Sequence, residues 1–207
     1  MDSSFLITSF VTLFVVIDPL GLIPLFIALT HGMAPEHRRA VGLRACVIAA
    51  VLLTLFGLLG QKLLDFVGIS MPAFRIAGGI LLFLTALDML FERRTQRREG
   101  QTPDAAHDPS VFPLAMPLIA GPGALAAMIL LVGQSGSGVQ GKALVLGLML
   151  MVITLIYALF LAAGPIERAL GRTGTMVITR LLGMLLAALS VQFVIDGIIG
   201  TGLVSVG

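Results

Sequence analysis

Six apolar runs of roughly twenty residues succeed one another along the chain, over about 5–30, 41–61, 73–91, 111–133, 143–163 and 178–199. About 20 residues of helix, rising 1.5 Å each, cross the roughly 30 Å of hydrocarbon in a bilayer. Each run therefore predicts a membrane-spanning helix. Together they predict an all-α, polytopic membrane protein of six transmembrane helices. One long polar stretch, FERRTQRREGQTPDAAHDPS, separates the third run from the fourth. Its charge, proline and glycine read as a solvated linker. The chain divides into a first three-helix unit (1–92), a linker (93–110) and a second three-helix unit (111–207), all within one membrane domain.

Composition agrees with the pattern. Hydrophobic residues make up 57% of the 207 and charged residues 12%, where a soluble domain carries about 25% charged. The mean hydropathy is +1.06, so too little polar surface remains to face water, and the lipid bilayer is the expected solvent. The net charge of +2 and pI of 9.2 do not indicate nucleic-acid binding, because the basic residues fall in short loops between apolar runs. The single cysteine, Cys46, excludes an internal disulfide and reads as a small buried hydrophobe. Asp2 stands where a signal peptide would be positive and no small-residue cleavage site follows, so the first run is expected to stay as a membrane helix. His31, His37 and His107 lie in predicted loops, and no phosphate-binding glycine loop with a lysine occurs. An enzyme is not expected, nor is a cofactor or a metal site, and energy for any transport would come from ion or substrate gradients.

Orientation follows from the cations. Arg38, Arg39 and Arg44 come after span one, Arg93, Arg94, Arg97 and Arg98 after span three, and Arg168 and Arg172 after span five; the opposite side holds Lys62 and Lys142. Excess Lys and Arg marks the cytoplasmic side. The odd-numbered loops, including 92–110, are thus expected in the cytoplasm and both termini outside, in a multi-pass inner-membrane protein.

Spans one and four share a rare feature. DPLGLIP carries Pro19 and Pro24, and MPLIAGPG carries Pro117 and Pro122, each pair being Pro-x-x-x-x-Pro inside an apolar run. Arg75-Ile-Ala-Gly78 in span three likewise matches Arg180-Leu-Leu-Gly183 in span six. Helices one to three therefore repeat as four to six, and an odd number of spans per repeat makes the second copy inverted, as in many secondary transporters. Paired prolines with Gly21, Gly121 and Gly123 go beyond a kink. Residues 18–24 and 117–123 read as unwound segments breaking helices one and four, and such backbone is tolerated at depth only where it is buried in protein or lines a cavity. Half-helix N-termini suit a carboxylate and half-helix C-termini suit an ammonium or cation, so a zwitterionic amino acid would use both ends.

Asp18 sits near mid-membrane, where acidic groups are costly and usually functional. It reads as an N-cap for the second half-helix, as a proton carrier, or as a contact to a substrate ammonium. Arg75 and Arg180 read as snorkelling cations, or as a gate or inter-repeat ion pair. Asp88 and Asp196 lie near span ends, and Thr54, Thr85, Thr154, Ser190 and Gln192 offer hydrogen bonds between helices.

The segments IDPLGLIPLF (17–26), FRIAGGILLF (74–83), PLAMPLIAGPGA (113–124) and RLLGMLLAALSVQFVIDGI (180–198) resemble the MarC family of bacterial inner-membrane proteins over essentially the whole chain. The resemblance implies a small six-helix membrane protein, similar in some members to neutral amino-acid transporters or exporters and grouped with lysine-exporter-like transporters. With the half-helix argument, it assigns substrate binding to Asp18, Pro19, Gly21, Pro24, Pro117, Gly121, Pro122 and Gly123. The leading expectation is a secondary transporter of small neutral amino acids working by alternating access, with a proton or sodium ion as coupling partner. An inorganic ion transporter or channel, and a non-transporting assembly or signalling protein, are the alternatives. Small residues such as Gly78 and Gly79 suit packing within the monomer or between protomers, so a homo-oligomer stays open.

Overall fold

Proline and glycine set the helix boundaries. In the structure, a computed structural model describing residues 3–91, 108–136 and 138–202, α1 (Ser3–Ile17) and α2 (Pro19–Leu29) form the first span. The second and third spans are α3 (Pro35–Val67) and α4 (Met71–Leu90). After the linker come α5 (Ser110–Ile119), an irregular and wide helical stretch, then α6 (Pro122–Gln134), α7 (Val139–Leu161) and α8 (Ala163–Gly200). Pro19, Pro35, Pro72 and Pro122 each stand in the first turn of their helix. The missing amide costs nothing there, because that N–H has no intrahelical acceptor. Left-handed Gly68 ends α3, at φ 82°, a conformation that suits glycine at a helix C-terminus.

Five helical segments are long and apolar enough to cross a membrane: Ser3–Leu29, Pro35–Val67, Met71–Leu90, Val139–Leu161 and Met176–Gly200. The pair Ser110–Ile119 and Pro122–Gln134, bent by 55°, makes a sixth if taken as one span. The described residues are thus an all-helical, multi-pass membrane bundle of five candidate spans, or six with the bent pair counted as one. Helix α3 is longer than its run: 33 residues give about 50 Å at 1.5 Å per residue. It begins at Pro35, so Arg38 and Arg39 belong to a helix and not to the loop expected for them. Arg93, Arg94, Arg97 and Arg98 lie outside the described residues, as does the linker 93–110 except for its last three positions. There Asp108 Oδ1 accepts the backbone N–H (2.9 Å) and hydroxyl (2.7 Å) of Ser110, while Arg44 approaches Oδ2 at 3.5 Å. The two Ser110 bonds, with a smaller contribution from Arg44, hold the Asp108 carboxyl below its ordinary pKa.

The tightest seam is antiparallel, between α4 and α8. A Cβ at Gly79 would meet the Ser190 carbonyl oxygen at 2.8 Å and Val194 Cγ2 at 2.7 Å, and one at Gly183 would meet the Ala86 carbonyl oxygen at 3.2 Å and Met89 Cβ at 3.0 Å. Glycine on each side lets the other backbone approach. Elsewhere the packing exchanges partners: α3 lies on α5 and α6, α7 on α1 and α2, α4 on α6, α8 on α2, and α3 on α7. A single buried cluster, including Leu13, Ile17, Leu22, Leu53, Leu82, Leu114, Met128 and Val152, runs through all of these elements.

Candidate functional site

Asp18 stands between α1 and α2 with φ 59° and ψ 65°, the left-handed region that Asp and Asn tolerate better than other side-chain-bearing residues. Its Oδ1 accepts the Gly21 N–H at 3.1 Å and so caps α2. Pro19 takes the first helical position. A Cβ at Gly21 would collide with Asp18 Oδ2, so a side chain there would displace the capping carboxylate. The backbone ladder is intact on both sides, Asp18 N–H donating to Phe14 O (3.0 Å) and Leu22 N–H to Asp18 O (3.1 Å). The D-P-L-G motif is therefore a cap, a helix-starting proline and the glycine that admits the capping carboxylate. Asp18 itself is 1% exposed.

The second motif follows the same logic with different atoms. Gly121 is the N-cap of α6, Pro122 holds its first turn, and no side chain caps it. A Cβ at Gly121 would sit 2.6 Å from the Pro117 carbonyl oxygen, a backbone atom that cannot move aside. A Cβ at Gly123 would meet Val16 Cγ2 at 3.0 Å and Thr85 Oγ1 at 3.2 Å. Glycine here lets the first turn of α6 press against α1 and α4. The contact sets the first turn of α6 on the α1 face that carries Val16, two residues along the chain from Asp18. A helix N-terminus carries about half a positive charge; this one is set among buried residues, Gly123 and Ala124 included. On the same face of α1, Ser9 and Thr12 are fully buried, and their hydroxyls have no hydrogen-bond partner among the described residues.

Residues 18–24 are not an unwound segment: α2 is regular from Pro19, and only Asp18 departs from helical dihedrals. In the second motif α6 begins at Pro122, and Ala120 and Gly121 depart from helical dihedrals. Upstream of it, Phe112 and Met116 are also non-helical. The physical reason is that Pro19 and Pro122 start helices instead of ending them. Of the expected site residues, Asp18, Pro19 and Gly123 are buried, Gly21, Pro117 and Gly121 half-buried, and Pro24 and Pro122 exposed. Pro24 lies inside regular α2. Arg75 is half-buried, with a buried Nε that has no partner among the described residues, whereas Arg180 is exposed. The two matched arginines thus differ in surroundings.

Hydroxyls expected to bridge helices turn back on their own: Thr85 to Leu81 O (3.0 Å), Thr154 to Leu150 O (2.8 Å) and Ser190 to Ala187 O (2.7 Å). Gln192 likewise donates to Asp196 one turn on, at 2.8 Å. Sequence reasoning passed over Ser9, Thr12 and Val16. Their i, i+3, i+7 spacing on one helix face was the available signal.

A family model described as "MarC family integral membrane protein" matches residues 3–201. A UPF0056 membrane protein of Archaeoglobus fulgidus is 40% identical over 198 residues, covering 94% of this chain and 92% of that protein. One from Methanocaldococcus jannaschii is 35% identical over 203 residues, covering 97% and 98%. The UPF0056 inner membrane protein YhgN of Escherichia coli is 35% identical over 198 residues, covering 93% and 95%. No solved structure matches the chain.

Proposed function

This chain belongs to the MarC family of integral membrane proteins, and from that premise we propose that it is a secondary transporter of small zwitterionic solutes, neutral amino acids such as alanine, glycine, serine or threonine. The reading rests on the contact of α1 with the first turn of α6 at Val16–Gly123, two residues along the chain from the buried Asp18. A carboxylate has room for about four hydrogen bonds, so Asp18 can cap α2 and also take a substrate ammonium. The N–H groups opening α6 take the substrate carboxylate. The buried Ser9 and Thr12 hydroxyls offer further polar contacts within the bundle. A solute with only one charge leaves one of these poles desolvated and unmatched, which is how such a site prefers a zwitterion.

Alternating access arises, in this reading, from rocking of two inverted three-helix repeats about helices one and four, each broken at its cap residue. Support comes from the exchanged packing partners, α4 on α6 against α8 on α2. Structural roles pair Pro19 with Pro122, a different register from the one the proline spacing suggests. A proton or sodium gradient would drive the cycle, and Arg75, whose buried Nε has no partner among the described residues, would act between repeats near the start of α4. The cation-rich ends of α3 and α8 face the cytoplasm of the inner membrane, with both chain termini outside. Uptake of labelled alanine, glycine, serine and threonine into liposomes holding the pure protein tests the proposal. Saturable flux above empty liposomes is expected; no flux for any of them, with or without an ion gradient, refutes it.

A further inference from the structure

At the arginine-bearing end of the bundle, where α2 leads into α3 and α7 into α8, lies a half-open cavity of about 220 Å³, lined by Phe26 about two turns of α2 beyond Asp18. At about 30 Å³ per water, it holds a solute of roughly half a dozen heavy atoms. Its floor is a stacked pair, Phe26 and Phe160, with ring centroids 4.1 Å apart and planes 8° from parallel. Gly42 makes that floor possible. A Cβ there would lie 3.3–3.4 Å from both rings, so glycine lets the pair sit directly on the α3 backbone. The Arg38 guanidinium lies over Phe26, its Cζ 5.0 Å from the ring centroid. Arg39 and Tyr157 complete the polar part of the lining.

The guanidinium is only half provided for. The ring face below it attracts the cation but does not accept its in-plane N–H groups. Nη2 is buried and has no hydrogen-bond acceptor among the described residues. A buried donor without an acceptor is destabilising, more so when charged, and a guanidinium fork fits two oxygens of one carboxylate or phosphate. The α3 N-terminus, which has no side-chain cap, adds positive potential at the same end.

We propose that this cavity is a binding site for a small oxyanion, held by Arg38 with Arg39 beside it, with any apolar body of the ligand resting on the Phe26–Phe160 pair. The site is separate from the Asp18 juncture and does not depend on the transport proposal. The oxyanion comes either from a free solute or from the phosphate of an anionic lipid.

The chain supplies its own reporter. It has one tyrosine and no tryptophan, so tyrosine emission from the pure protein reads Tyr157, in the cavity wall, alone. The test titrates protein in neutral detergent with inorganic phosphate, with propionate and with phosphatidylglycerol micelles, at constant ionic strength set by chloride. A saturable change in Tyr157 emission is expected with at least one of them. Arg38→Gln should weaken it at least tenfold, and Arg38→Lys should fall between, keeping the charge but losing the fork. A response to phosphate or propionate assigns a soluble ligand, and a response to phosphatidylglycerol alone assigns a lipid headgroup. No saturable response to any of the three overturns the site. So does an equal response in an Arg38→Gln protein that elutes and melts like wild type.

Discussion

Replacing Asp18 separates its work as a cap from its work as a charge. Two structural terms act at this position. Loss of an N-cap side chain costs about 1 kcal/mol, within a range of roughly 0.5–2. Holding a residue other than Gly, Asn or Asp in the left-handed region costs about 1–2 kcal/mol more. Asp18→Asn keeps both the Gly21 N–H acceptor and the tolerance for φ 59°, so it should unfold within about 0.5 kcal/mol of wild type. Asp18→Gly relieves the backbone and loses only a few tenths at the cap. Asp18→Ala meets both terms and should lose about 2–3 kcal/mol. Reversible unfolding in mixed micelles gives the order: wild type and Asn together, then Gly, then Ala. Amino-acid flux into liposomes should follow a different order, with all three variants silent because none carries a charge for the ammonium. Equal stability of the Asn and Ala proteins would refute the cap argument. Wild-type flux through Asp18→Asn would refute the charge argument.

The remaining expectations are smaller in scope. Gly79→Ala should cost about 1–3 kcal/mol from overpacking, because its new Cβ meets the Ser190 carbonyl oxygen at 2.8 Å. Gly147→Ala, with nothing within 4 Å, should be neutral or stabilising by up to about 1 kcal/mol; thermal melts of both proteins check the contrast. Pro24→Leu restores an amide inside regular α2 and leaves Asp18 in place, so flux should persist and stability should hold or rise; lost flux would show that Pro24 matters beyond its backbone. The Asp108 carboxyl is held below its ordinary pKa chiefly by Ser110. Its stabilisation is therefore present above the unfolded value of about 3.9 and fades as pH falls through the lower folded value. Because Asp108 and Arg44 are largely exposed, the effect should stay below about 1 kcal/mol, and acid melts of Asp108→Asn should lack it.

The spans were legible because the run of apolar residues needed to cross hydrocarbon is a property of the chain itself. Hydropathy marks the thickness of the membrane and not the end of a helix, so the first turns of α3, with Arg38 and Arg39, were read as loop. Residues 18–24 were expected to unwind, and only Asp18 leaves helical dihedrals there, whereas at the second motif the non-helical residues begin upstream of 117, at Phe112 and Met116. Proline interrupts a helix from inside and starts one from its first turn, and only the capping geometry of Asp18 and Gly121 distinguishes the two. The reasons for Gly21, Gly121 and Gly123 were not legible at all. Each answers to a neighbour brought up by folding: the Asp18 carboxylate, the Pro117 carbonyl oxygen, and Val16 with Thr85. The cavity at Arg38 was hidden for the same reason, since its floor joins Phe26 of the first span to Phe160 of the fifth.

The encounter of α1 with the start of α6 can be tested by a bond. Val16 Cγ2 lies 3.0 Å from where a Cβ at residue 123 would be, and a sulfur in that methyl's place would be at the one-three distance of a disulfide, about 3 Å. Val16→Cys with Gly123→Cys, in a Cys46→Ser background, should form an intramolecular disulfide on oxidation, and amino-acid flux should stop and return on reduction. Failure of the two cysteines to join, or undiminished flux with the bond in place, would contradict the account.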